Sequence, residues 1–130
     1  MPAPENIALV RRFYESKVAP EVFQEVMDPE LVWDITPGFP GGRVYHGPES
    51  VGRDFFGPLM ENFDTFYPVG EEYFADGAGH VFAVGHYHTV SRRGASADAR
   101  FMHLWTVRDG KIVKLQQVSD SLVVDRVING

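Results

Sequence analysis

Apolar residues recur along this chain in two rhythms, helical in the first half and alternating in the second. Ile7, Val10, Phe13, Tyr14 and Val18 fall on one stripe of an amphipathic helix over residues 5–18, opened by Pro4 and Glu5 and broken at Ala19-Pro20. Val22, Phe23, Val26 and Met27 mark the inner side of a second, shorter helix that ends near Asp28-Pro29. Leu31 to Thr36 reads as a short strand carrying Trp33, Pro37 to Gly42 as a loop, and Arg43 to His46 as a brief strand. Gly47-Pro48-Glu49 opens a third helix with Val51, Phe55 and Phe56 inward. Pro58 has no N–H to give, so it must kink or interrupt that helix before Leu59, Met60 and Phe63.

From residue 69 the period changes to two. Val69–Ala75, His80–Val90 and the stretch DARFMHLWTVRDGKIVKLQQVSD (Asp98–Asp120) predict four strands, and a short segment, 121–127, follows. Asp109-Gly110 between alternating runs is a strong two-residue hairpin signal. A two-residue turn sets Val107 opposite Ile112, Trp105 opposite Lys114, His103 opposite Gln116 and Phe101 opposite Val118. Phe101, His103, Trp105, Gln116 and, at its end, Asp120 then share one face, while Met102, Leu104, Val113 and Leu115 share the other. Helices followed by antiparallel strands indicate a single α+β domain over 1–130, its sheet curling around the helices to leave a cone-shaped cavity.

Composition narrows what such a cavity could hold. Ten Phe in 130 residues supply bulky apolar walls. A net charge of −6 and no basic cluster beyond Arg92-Arg93 argue against nucleic acid as a partner. The lack of cysteine removes thiolate chemistry, and no apolar run reaches membrane-spanning length, so a cytoplasmic protein without membrane contact is expected.

RRFYES in the first helix, VWDITPG, HGPESV and the final hairpin together resemble the SnoaL-like members of the nuclear transport factor 2 superfamily, over nearly the whole chain. The resemblance implies a conical α+β barrel, a homodimer through the outer face of the sheet, and a small hydrophobic ligand handled without cofactor. Several relatives work by acid/base catalysis and others only bind. The ketosteroid isomerases' helix-1 tyrosine aligns with Phe13, one residue before Tyr14, and their base with Thr36-Pro37. The epoxide hydrolases' catalytic Arg and two Asp align with Val84, His86 and Asp120.

The residues expected to carry chemistry are Asp120 as base, or as partner orienting it, and His103 or His86 as proton shuttle. Gln116 would hold a substrate oxygen, with Tyr14, Trp33, Phe56, Phe101 and Trp105 around the substrate. Asp120 has a plain alternative as N-cap of the segment after it, and His103 as a core residue bonded to Gln116. His86 and His88 share a face, and the parity of the loop after them decides which. An even loop puts them beside His103; an odd one puts Ala83, Gly85 and Tyr87 there. The epoxide hydrolase alignment favours His86 inward. The H-x-H spacing would permit a metal with His103 or Asp120, although no metal or other cofactor is expected.

Overall fold

A computed structural model describes residues 2–130. Helices α1 (Ala3–Glu15) and α2 (Pro20–Val26) precede strands β1 (Met27–Ile35) and β2 (Val44–His46). A continuous helical rod follows: α3 (Pro48–Ser50), a π-helical segment (Val51–Phe56) and α4 (Gly57–Met60). Strands β3 (Phe63–Ala75), β4 (His80–Ser91), β5 (Ser96–Arg108) and β6 (Lys111–Ser119) lead to the terminal helix α5 (Ser121–Asn129). Among the described residues no helix is long and apolar enough to cross a membrane. Pro58 does not break the rod as its sequence suggested. The wide turn just before it is closed by Gly57 N–H donating to the Gly52 carbonyl, five residues back.

The six strands form one sheet in the order β2-β1-β6-β5-β4-β3, antiparallel except for the β1–β6 pair. Extra residues at Asp64 and Glu71 in β3 shift its register against β4, and bulges of this kind bend a sheet. The concave side closes over α1, whose Val10, Phe13 and Tyr14 are buried together with Trp33, Phe101 and Trp105. Gly85 is required beneath this packing: a Cβ there would lie 1.9 Å from the Val69 carbonyl oxygen and 2.9 Å from the Phe101 ring.

The final hairpin turns at Asp109-Gly110, both at positive φ, but its register is one residue off the expectation. Val107 faces Ile112, then Thr106 faces Lys114, so Val113 is an extra, bulged residue. Beyond it Trp105 pairs with Leu115, His103 with Gln117 and Phe101 with Ser119, instead of Lys114, Gln116 and Val118. A one-residue slip exchanges the faces of everything downstream. Leu115 and Gln117 are therefore buried, while Gln116 and Val118 are exposed, and Val113 is itself buried at the bulge.

Loop parity decides the other open face. Val90 pairs with Ser96, leaving five residues, 91–95, between them. That odd count sends Ala83, Gly85 and Tyr87 inward, and His86 and His88 outward. The predicted inward His86 is thus corrected.

Candidate functional site

Five side chains from four elements meet under α1 in a buried polar chain. Trp105 Nε1–H donates to the Tyr14 hydroxyl at 2.8 Å. Tyr14 Oη lies 2.6 Å from His103 Nδ1, and Tyr87 Oη lies 2.8 Å from His103 Nε2. Gln117 Nε2 donates to Tyr87 Oη at 3.0 Å. The Thr36 N–H donates to Gln117 Oε1 at 3.2 Å and so holds the amide with its nitrogen toward the phenol. The Phe101 ring lies flat on His103 with centroids 3.8 Å apart. Five buried groups from sequence-distant strands and a helix are joined by nearly ideal distances.

Burial sets the protonation of this chain. It pushes the His103 imidazole down to about 3, so the ring is neutral at physiological pH. It also raises both Tyr87, against the opposing Gln117 hydrogen bond, and Tyr14, against the Trp105 hydrogen bond. The two phenols therefore keep their protons, and the unit is an uncharged donor–acceptor relay. A neutral imidazole between two hydroxyls can accept a proton at one nitrogen while releasing the other.

His103 and Tyr87 border a small chamber of about 20 Å³, whose other walls include Phe13, Trp33, Phe39, Phe55 and Leu115. That volume accommodates about one water molecule. Val18, Phe56, Phe66 and Pro68 separate it from an outer vestibule of about 330 Å³, lined further by Lys17, Phe23, Gln24, Gly52 and Met60. Two features of this partition are conformationally unusual. Lys17 and Val18 both hold positive φ, +54° and +59°, a costly region for a β-branched residue. Phe56 ends the π-helical segment.

Of the residues expected from sequence, His103, Tyr14, Trp33 and Phe56 come together here. Trp105 is itself a member of the polar chain and Phe101 stacks on His103, but neither borders the chamber. Gln116 is exposed on the outer face, and its inward place is taken by Gln117. His86 pairs with Glu71 at 2.7 Å and His88 with Asp98 at 3.0 Å on the outer face, so neither converges with His103 on a metal. Asp120 is exposed and caps α5, accepting from the Val123 N–H at 3.2 Å. Tyr87 is the residue that the odd-loop alternative placed inward, while Gln117 was missed, because only the bulge at Val113 brings it to this face.

Comparison with known proteins agrees with this architecture. The model of the SnoaL-like domain matches residues 10–115. The chain belongs to the SnoaL-like family. Among solved structures, an NTF2-like protein from Burkholderia thailandensis is 26% identical, with 100% of this chain and 99% of that one covered and a TM-score of 0.86. TerC, co-crystallised with polyporic acid, is 21% identical over 97% of this chain and 99% of its own, with a TM-score of 0.86. A candidate SnoaL-like polyketide cyclase from Jannaschia sp. CCS1 is 21% identical over 98% and 93%, with a TM-score of 0.79. No curated protein matches the chain. The SnoaL-like fold explains the curved sheet around α1 and does not by itself choose a function.

Proposed function

We propose that this SnoaL-like protein binds a small, hydrophobic, oxygen-bearing molecule in the aromatic chamber and acts on it by acid catalysis without a cofactor. Isomerisation, cyclisation and dehydration are the reaction classes in view. The carrying observation is the neutral His103 held between two protonated phenols at the chamber wall. In this reading the Tyr87 O–H polarises or protonates the guest's oxygen. His103 Nε2–H and Gln117 Nε2–H then donate to the Tyr87 oxygen and support the negative charge that develops there, so the imidazole never carries charge. Entry requires the Phe56 and Phe66 rings to move, joining the chamber to the vestibule. The combined space is in the range of small-molecule sites. TerC, of the same fold, has been co-crystallised with a small molecule, polyporic acid.

A second reading, binding without turnover, is favoured by the positions of Asp120 and His86. Both expected proton acceptors lie outside the chamber. A panel of hydrophobic ketones screened by thermal shift, followed by NMR in D2O, tests both readings. Acid/base action predicts deuterium entering next to the carbonyl faster with the wild type than with Tyr87→Phe. Binding with no exchange supports the second reading, and a panel in which nothing binds rejects both.

The outer sheet face carries exposed Phe74, Met102 and Val118, and the proposed assembly is a homodimer through it. A monomer by light scattering at micromolar concentration counts against that assembly.

A further inference from the structure

The two tryptophans of this chain lie side by side in the core, with ring centroids 5.7 Å apart, yet only one is satisfied. Trp105 donates to Tyr14. The Trp33 Nε1–H is buried and has no acceptor among the described residues. Leaving a buried donor unpaired costs about 1–3 kcal/mol, and a phenylalanine would supply a ring without that cost. Trp33 borders the chamber.

A proton count finds a second idle donor at the same place. Tyr14, neutral His103 and Tyr87 hold three exchangeable protons between them, but only two hydrogen bonds link the three groups. Each phenol oxygen already accepts from outside, Tyr14 from Trp105 and Tyr87 from Gln117. With the imidazole proton on Nδ1, the surplus O–H belongs to Tyr14. With it on Nε2, the surplus belongs to Tyr87, which borders the chamber as Tyr14 does not. An acceptor inside the chamber therefore selects the Nε2–H form.

The remaining side chains of the chamber wall are hydrocarbon, and both His103 nitrogens are occupied by the phenols. No Asp, Glu, Lys or Arg lines it. We propose that the Trp33 indole N–H is a ligand-recognition group, and that with Tyr87 it selects an uncharged guest whose polar atoms are acceptors only, such as an aryl ketone. An alcohol leaves one donor idle in either imidazole form, its own with the proton on Nε2, or the Tyr14 O–H when Tyr87 Oη accepts from it with the proton on Nδ1, and a carboxylate brings a charge that nothing neutralises. This rests on the reading that the guest occupies the chamber.

The test uses the 15N-labelled full chain and three bicyclic probes of one shape: 1-tetralone, 1-tetralol and tetralin. The Trp33→Phe variant assigns the two indole N–H resonances. The expected result is a saturable downfield shift of the Trp33 indole proton with 1-tetralone and none comparable with tetralin. Trp33→Phe should weaken 1-tetralone about tenfold, the worth of one hydrogen bond, and change tetralin less than twofold. Tetralone and tetralin weakened equally by Trp33→Phe would reduce Trp33 to a wall and overturn the proposal while the chamber reading stands. Equal affinity for 1-tetralol and 1-tetralone overturns the acceptor-only selectivity. If no probe moves the resonances of chamber residues, the chamber reading itself fails. If Trp33→Phe folds poorly, nuclear Overhauser contacts to Phe55 and Phe56 identify the Trp33 indole in the wild type, and its shift with 1-tetralone against tetralin keeps the test decisive.

Discussion

The two faces of the β4–β5 strand pair treat the same side chain in opposite ways. On the outer face His86 and His88 each meet a carboxylate, Glu71 and Asp98, within 3.0 Å and in reach of water. On the inner face His103 meets two phenols at similar distances with no carboxylate beside it and no water contact. Outside, a histidine is an ordinary solvated partner of a charge. Inside, desolvation forbids the charged form and makes the ring a neutral relay. Face, rather than residue type, decides the chemistry.

The strongest way to break this contrast is to empty the inner face. Trp105→Ala removes a fully buried ring and the donor to Tyr14, and should cost about 3–5 kcal/mol in urea denaturation. A cost near zero would mean that the inner face is not the packed unit described.

Next comes pH. In the unfolded chain His103 titrates near 6.5, whereas in the folded state it titrates near 3. Between these values the unfolded state binds a proton that the folded state does not. The contribution is therefore intact above pH 6.5 and is lost as pH falls toward 3, at up to about 1.4 kcal/mol per pH unit. Asp54, held down to about 2 chiefly by Arg53, and Asp76, held down to about 2 chiefly by the Ala78 N–H, act in a separate window, below 3.8. Stability measured from pH 7 to 4 should flatten in His103→Gln. An unchanged slope in His103→Gln would contradict the neutral-relay picture.

The finest comparison sets two adjacent glutamines against each other. Gln117→Ala removes the donor to Tyr87 and one of the two acceptors of the Thr36 N–H, leaving the Gln117 backbone carbonyl, and should cost about 1–3 kcal/mol. Gln116→Ala, on the exposed face, should stay within about 0.5 kcal/mol by thermal melting. Equal effects would restore the unbulged register.

The fold was legible because its signals are local and redundant. The helical stripe ending at Tyr14, the alternation from residue 80 onward and Asp109-Gly110 each report on a neighbourhood of a few residues. The site was half legible for the same reason. His103 could be placed inward because Phe101 and Trp105 alternate with it on its own strand. Asp120 looked equally suited to capping and to catalysis, and only the exposed turn into α5 separates the two. Gln117 was hidden behind its neighbour, since a single bulged residue at Val113 carries no distinctive sequence mark.

By itself, then, the sequence determined the α+β order, the aromatic content of the core and the inward histidine of β5, because periodicity and turn chemistry act within a strand or helix. Tertiary structure alone decided which tyrosines and which glutamine reach that histidine. Strand pairing is set by loop parity and bulges, and moving it by one residue turns every following side chain to the opposite face.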